Sequence, residues 1–130
     1  MLNAGHVLFI PRRVVPRAAD LTNEEVADLW SLAHRCGPRL EAHFGASALT
    51  FAVQDGAAAG QTVPHVHIHL LPRRLGDFAR NDEIYDKVDD SERESTQQRL
   101  SKDLDRERVA RTPEEMAHEA ATLRRVCRDA

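Results

Sequence analysis

Apolar positions along the chain follow two periods. "HVLFIP", His6 to Pro11, is a short apolar run that reads as a buried strand, ended where Pro11 removes a backbone donor. From Val26 the spacing lengthens: Val26, Leu29, Trp30, Ala33, Leu40 and Phe44 recur at helical intervals, which also puts Trp30 in the core. Thr22, followed three residues later by Glu25, is a capping box that starts this helix. Gly37-Pro38 falls inside the pattern. Pro38 cannot donate to the His34 carbonyl, so a kink or break is expected there. "SALTFAVQ", Ser47 to Gln54, is rich in β-forming residues and reads as a second strand. Asp55-Gly56 opens a loop that Gly60 closes, and "TVPHVHIHLLP" then reads as a third strand, antiparallel to the second because the loop between them is short. Pro64 belongs at that strand's start or on a bulge.

Beyond Pro72 the pattern fails. From Lys87 to Arg111, seven basic and seven acidic residues share twenty-five positions, with few apolar ones. Such a segment buries too little to offset its ordering entropy, so about 87–111 is expected to be a charged flexible loop. Only Leu100 and Leu104 favour a helical turn within it. Order is expected to return at "TPEE", where Thr112 is an N-cap, Pro113 the first helical residue and Glu115 the capping-box partner. Met116, Ala120, Leu123 and Cys127 give this last helix an apolar stripe, and Arg124, Arg125 and Arg128 suit its C-terminal dipole. The elements predict an α+β fold: an antiparallel sheet with a central helix and a C-terminal helix, in one domain over 1–130.

Composition adds bounds. The 130 residues suffice for one hydrophobic core, and a net charge of −3 gives no ground for expecting nucleic acid or an anionic membrane as partner. No apolar run approaches the roughly 20 residues that span a bilayer, and the opening stretch lacks the basic region of a signal peptide. Cys36 and Cys127 lie too far apart for a local metal or redox motif and read as buried reduced thiols of a cytoplasmic protein.

The candidate chemistry lies in "HVHIHLL". On a strand, His65, His67 and His69 share a face at intervals of roughly 6.5–7 Å, while Val66, Ile68 and Leu70 face the core. Three imidazolium cations at that spacing repel, so at least one ring stays neutral near pH 7, as a nucleophile or a metal ligand requires. A solvated histidine-rich face is the bland reading. A tri-histidine metal site is the second; it lacks a Cys, Asp or Glu beside the row, and nitrogens on one strand converge poorly. Nucleophilic catalysis at phosphorus is the third. Gln54 and Gln61 bracket the preceding loop with amides suited to phosphate oxygens, and Gly60 lets backbone approach a ligand closely. A histidine attacking phosphorus would form a phosphoramidate, with a neighbouring imidazolium serving the leaving oxygen. Spacing alone leaves the last two open.

"HVHIHLL" resembles the His-φ-His-φ-His-φ-φ signature of the histidine triad (HIT) superfamily of nucleotide hydrolases and transferases. "GHVLFIPRR", "LTFAVQDGAAAGQTVPHVHIHLLPRRLGDFARNDEIYD" and "EEMAHEAATLR" are similar to its fragile histidine triad (Fhit) branch, from about Ala4 to Arg125. The resemblance implies a hydrolase of dinucleoside polyphosphates that splits Ap3A-like substrates into AMP and ADP through a nucleotidyl-histidine. It makes His67 the nucleophile and sets His69 on the scissile phosphate, where it assists the leaving group. His65 and His6 become the supporting hydrogen-bond layer, and Gln54, Gly60, Gln61, Thr62 and Val63 hold phosphate oxygens. Arg73 and Arg74 read either as steering a polyphosphate or as ordinary exposed arginines. No protein-bound cofactor is implied, a divalent cation (Mg or Mn) accompanying the substrate instead. The implied assembly is a homodimer with sheets joined across a two-fold axis, cytoplasmic or also nuclear. Relatives carry a further segment ahead of "GHVLFIP", so the family's N-terminal strands are expected to be missing. The rival expectation is a signalling module whose complex with a dinucleotide, rather than turnover, is the output.

Overall fold

A computed structural model of the protein describes residues 5–100 and 112–128. Its centre is the strand Ile68–Arg73 (β3), every residue of which is buried. Val7–Phe9 (β1) pairs antiparallel along one edge, Leu8 opposite His69, and Ala48–Ala52 (β2) pairs antiparallel along the other, Ala52 opposite His69. The helices are Asn23–His43 (α1), Glu83–Leu100 (α2) and Pro113–Cys127 (α3). The fold is thus α+β with an antiparallel sheet, and β3 sends alternate side chains to two different layers.

One layer is α1. Its Leu29, Ala33, Cys36 and Leu40 pack with Phe9, Ile68 and Leu70, and α3 closes on the same cluster through Leu123, Val126 and Cys127. Thr22 caps α1 reciprocally with Glu25, and Arg13 holds Glu25 through bonds of 2.8 and 2.6 Å, which lowers that carboxyl to about 2. At Pro38, where a kink or a break is expected, α1 runs on unbroken. An interior proline costs about 3 kcal/mol, whereas fully burying one Leu returns about 1.5–3 kcal/mol, and Leu29, Cys36 and Leu40 are buried on both sides of the proline. Gly37 lets the helix lie close against the sheet, because a Cβ there would stand 2.9 Å from Leu49 Cδ1.

Three apolar residues expected inside lie outside, Val26 among them at 37% exposed. Trp30 is 45% exposed and Met116 52%. Trp30 sits roughly 100° around α1 from Leu29 and tilts against Phe51, itself 37% exposed, with ring centroids 6.1 Å apart. Cys36 and Cys127, remote in sequence, meet where α3 crosses α1. Both are free thiols, but only Cys36 is buried and Cys127 is half-buried; burial, helped by Cys127, pushes the Cys36 thiol up to about 11.

The other layer is α2, which corrects the expected loop at 87–111: helix runs through its first part to Leu100, and 101–111, with Leu104, lie outside the described residues. Ile84 and Val88 pack on Leu71 with Phe78 beside them, and that apolar stripe anchors an otherwise charged helix. Arg73 fixes the turn leading to it. Its guanidinium donates to both Asp77 oxygens (2.7 and 2.9 Å), to Thr50 Oγ1 (3.2 Å) and to Asn81 Oδ1 (3.1 Å), over the Phe78 ring. Arg73 is therefore a buried structural clamp, and Arg74 donates to the Phe44 carbonyl.

The clamp has a pH signature. Arg73, with the Arg74 N–H in support, lowers the Asp77 carboxyl to about 2. A carboxyl lower in the folded than in the unfolded chain stabilises fully above its unfolded value near 4 and is lost as pH falls through the folded one. Unfolding free energy measured in urea should therefore drop between about pH 4 and pH 2, and Asp77→Asn should remove that part of the drop. Equal pH slopes in the two proteins would exclude the clamp.

Candidate active site

The histidines enter from the approach to β3 rather than from one regular strand. Only His69 lies within β3; His65, in the bend that contains Pro64, and His67 precede it. The alternation nevertheless holds from Val66 onward, because Val66 is buried and Ile68 packs in the α1 layer, while His67 and His69, 4% and 1% exposed, face α2.

His67 Nδ1 donates to the His65 carbonyl at 2.8 Å. A carbonyl oxygen only accepts, so Nδ1 carries a hydrogen, and Nε2 is the nitrogen left for the site. That nitrogen lies 3.0 Å from His69 Nε2, and His69 Nδ1 lies 2.9 Å from His6 Nε2. A continuous chain of imidazoles thus runs from His6 through His69 to His67. Burial first, then the neighbouring rings of His67 and His6, push His69 down to about 4. Burial likewise lowers His6, so this arm of the chain is neutral near pH 7. The His65 ring does not join the row. It is half-buried with no partner for Nδ1 among the described residues, and His65 serves the site through its carbonyl.

The preceding loop brings the amides. Gly60 adopts a positive φ of 91°, and a Cβ there would collide with the Gln54 amide, so this close approach requires glycine. The Gln61 side chain is engaged at both ends: Oε1 accepts from Gly56 N (2.7 Å) and Nε2 donates to the Pro16 carbonyl (2.8 Å). It closes the loop rather than facing the histidines. Val63 offers its carbonyl to His65 N at 2.7 Å.

Sequence reasoning missed α2 and two of its carboxylates, Glu92 and Asp89, that reach the site. Glu92 Oε1 stands 2.9 Å from His67 Nε2 and 3.7 Å from His69 Nε2, and its Oε2 accepts from Thr62 N (3.2 Å) and Thr62 Oγ1 (2.8 Å). The Gln54 amide donates to Asp89, while its Oε1 is buried and unpartnered among the described residues. Burial would raise Glu92, but the Thr62 bonds and the two imidazoles outweigh it and hold the carboxyl below its ordinary value. A carboxylate therefore does lie against the row, contrary to the expectation from neighbours in sequence. The signal was Ile84, Val88 and Glu92 at four-residue spacing, which puts Glu92 on the face that α2 turns to the sheet. The clefts open to solvent at Phe44, Pro72 and Arg74, and between α1 and α3 at His43 and Leu123, include no triad histidine.

The chain matches the HIT domain over residues 2–76. It is 57% identical over 120 residues to the bifunctional bis(5'-adenosyl)-triphosphatase/adenylylsulfatase FHIT of Arabidopsis thaliana, covering 92% of this chain and 65% of that protein. It is 46% identical to the bis(5'-adenosyl)-triphosphatase of Dictyostelium discoideum, again over 92% of this chain and 70% of the relative. It thus spans about two thirds of these relatives' length. Among solved structures, the Caenorhabditis elegans NitFhit protein superposes with a TM-score of 0.58 at 50% identity, over 72% of this chain and 23% of that one. Both the sequence and the fold that carries His67 and His69 lead to one conclusion: the chain belongs to the HIT domain family, with Fhit proteins as its relatives.

Proposed function

We propose that the protein hydrolyses dinucleoside polyphosphates of the Ap3A type, giving AMP and ADP through a nucleotidyl group carried on His67. The observation behind this is the fixed tautomer of His67, whose Nδ1–H is held by the His65 carbonyl while Nε2 points at the groups that can receive a phosphate. In the first displacement Nε2 attacks the α-phosphorus, the P–N bond forms and the bond to the departing ADP oxygen breaks. The ring becomes cationic, and the His65 carbonyl accepting from Nδ1–H stabilises that charge where it develops. His69, neutral and linked to His6, donates a hydrogen bond to a phosphate oxygen rather than serving as a standing cation. Gln54 and Thr62 hold further oxygens. Water then attacks phosphorus, the P–N bond breaks, and AMP leaves.

Reacting atoms must approach to about 3–3.5 Å, a position that Glu92 takes in the described state. Substrate therefore enters as α2 moves aside, exchanging its phosphates for the Glu92 and Asp89 carboxylates on Thr62, His67 and Gln54. Magnesium or manganese travels with the polyphosphate as part of the substrate. The protein works as a homodimer joined through the edge strand β2, where Phe51 and the nearby Val53 and Trp30 are 37%, 38% and 45% exposed. It works in the cytoplasm or nucleus, in keeping with its two reduced cysteines; no described helix is long and apolar enough to cross a membrane.

Turnover of Ap3A, followed by separation of AMP and ADP with and without a chelator of transition metals, tests the reading. Hydrolysis that persists in chelator is expected, because histidine supplies the nucleophile. Tight dinucleotide binding without turnover would transfer the assignment to a binding module.

A further inference from the structure

His67 Nε2, His69 Nε2 and Glu92 Oε1 converge on one point, with separations of 3.0, 2.9 and 3.7 Å. A tetrahedral cation bound at about 2.0–2.1 Å by nitrogen and oxygen spaces its ligands about 3.3 Å apart, and the three separations straddle that value. Each donor is also oriented from behind. His67 Nδ1 is held by the His65 carbonyl, His69 Nδ1 by His6, and Glu92 Oε2 by the Thr62 N–H and hydroxyl. Metal-binding imidazoles and carboxylates need such outer partners. The three side chains are no more than 5% exposed, so the point is shielded from bulk water. Two imidazoles with one carboxylate suit zinc; magnesium and calcium prefer all-oxygen sets of higher coordination number.

We propose that His67, His69 and Glu92 form a site for one zinc-class divalent cation, and that the bound ion latches α2 over the histidines. Two ligands come from β3 and its approach, and the third from α2, so metal binding and helix closure are one event. The consequence for activity rests on the nucleotidyl-transfer reading: an ion on His67 Nε2 removes the lone pair that attacks phosphorus, and substrate and metal exclude each other.

Calorimetric titration of the metal-stripped full chain with zinc alone should show one ion per chain, and magnesium alone should show none. Cobalt(II) in place of zinc should give the visible absorption of a tetrahedral centre. Glu92→Gln should weaken zinc binding by more than the roughly 10–100-fold that loss of an outer partner costs, while Asp86→Asn, an exposed change on the same helix, leaves it unaltered. Zinc should also slow hydrogen exchange across α2 in the wild type, a readout that needs no variant. Zinc affinity indifferent to Glu92→Gln, or unchanged exchange in α2 at saturating zinc, would overturn the latch. If zinc binds in the Glu92-dependent way yet leaves turnover unchanged, the metal site stands and the role given to His67 falls.

Discussion

His67→Asn is expected to abolish Ap3A turnover, by roughly 10⁴-fold or more, as loss of a covalent nucleophile does. The asparagine amide still fits the space and can still donate towards the His65 carbonyl, but it offers no lone pair in place of Nε2. The loss should fall on kcat, with Ap3A still bound, because the phosphate-holding groups Gln54 and Thr62 are untouched. It should leave thermal stability nearly unchanged. The loop and strand around His67 are held by other bonds, such as Val66 N to the Val15 carbonyl at 2.8 Å. Steady-state kinetics and a melting curve on the same preparation separate chemistry from folding. A variant that turns over within tenfold of wild type would remove His67 from the mechanism.

Leu70→Ala is expected to give the largest loss of stability. Leu70 is fully buried at the centre of β3, opposite Val7 on one side and Phe51 on the other, and it faces the α1 cluster. Cutting Leu to Ala in such a core costs about 2–5 kcal/mol. That is a large share of the 5–15 kcal/mol typical of a whole domain. Relaxation into the space is limited, since Gly37, whose Cβ would be only 3.7 Å from Leu70 Cδ1, has no side chain to fill it. The melting temperature should fall by roughly 10 °C or more. A fall of under about 3 °C would mean that the contact between sheet and α1 is not the core.

The parts of the fold legible in the sequence are those whose local signals agree with their tertiary setting. The capping boxes at Thr22 and Thr112 start α1 and α3 where expected, and the alternation from His67 to Leu71 sorts its side chains correctly between two layers. Failures arise where tertiary contacts override local preference. The charge of 87–100 favours a loop, yet two apolar residues, Ile84 and Val88, suffice to hold a helix once Leu71 is there to receive them. Pro38 is carried through α1 by burial on either side of it. Helical periodicity puts Trp30 on the apolar face of α1, but it cannot say which positions of that face are covered. The meeting of Cys36 and Cys127 depends on how α3 crosses α1, which no local pattern encodes.

The same distinction holds at the site. His6, His67 and His69 were legible and do meet, while the Gln61 amide faces the loop it closes and His65 contributes a carbonyl rather than a ring. The long block after the triad, which carries much of the family likeness, proves structural in its arginine. Arg73 fixes the turn that delivers α2, and α2 delivers Glu92. Glu92 was out of reach because its partners lie in a different element, and its segment had no expected structure.

In the proposed reaction a nucleotidyl group passes through His67 Nε2. The most direct test is mass spectrometry of the chain quenched in base during Ap3A turnover, followed by mapping of the modified residue. An acid-labile adenylyl group on His67, absent from His67→Asn, is the predicted result. Turnover with no adduct, or with the adduct on another residue, would contradict it.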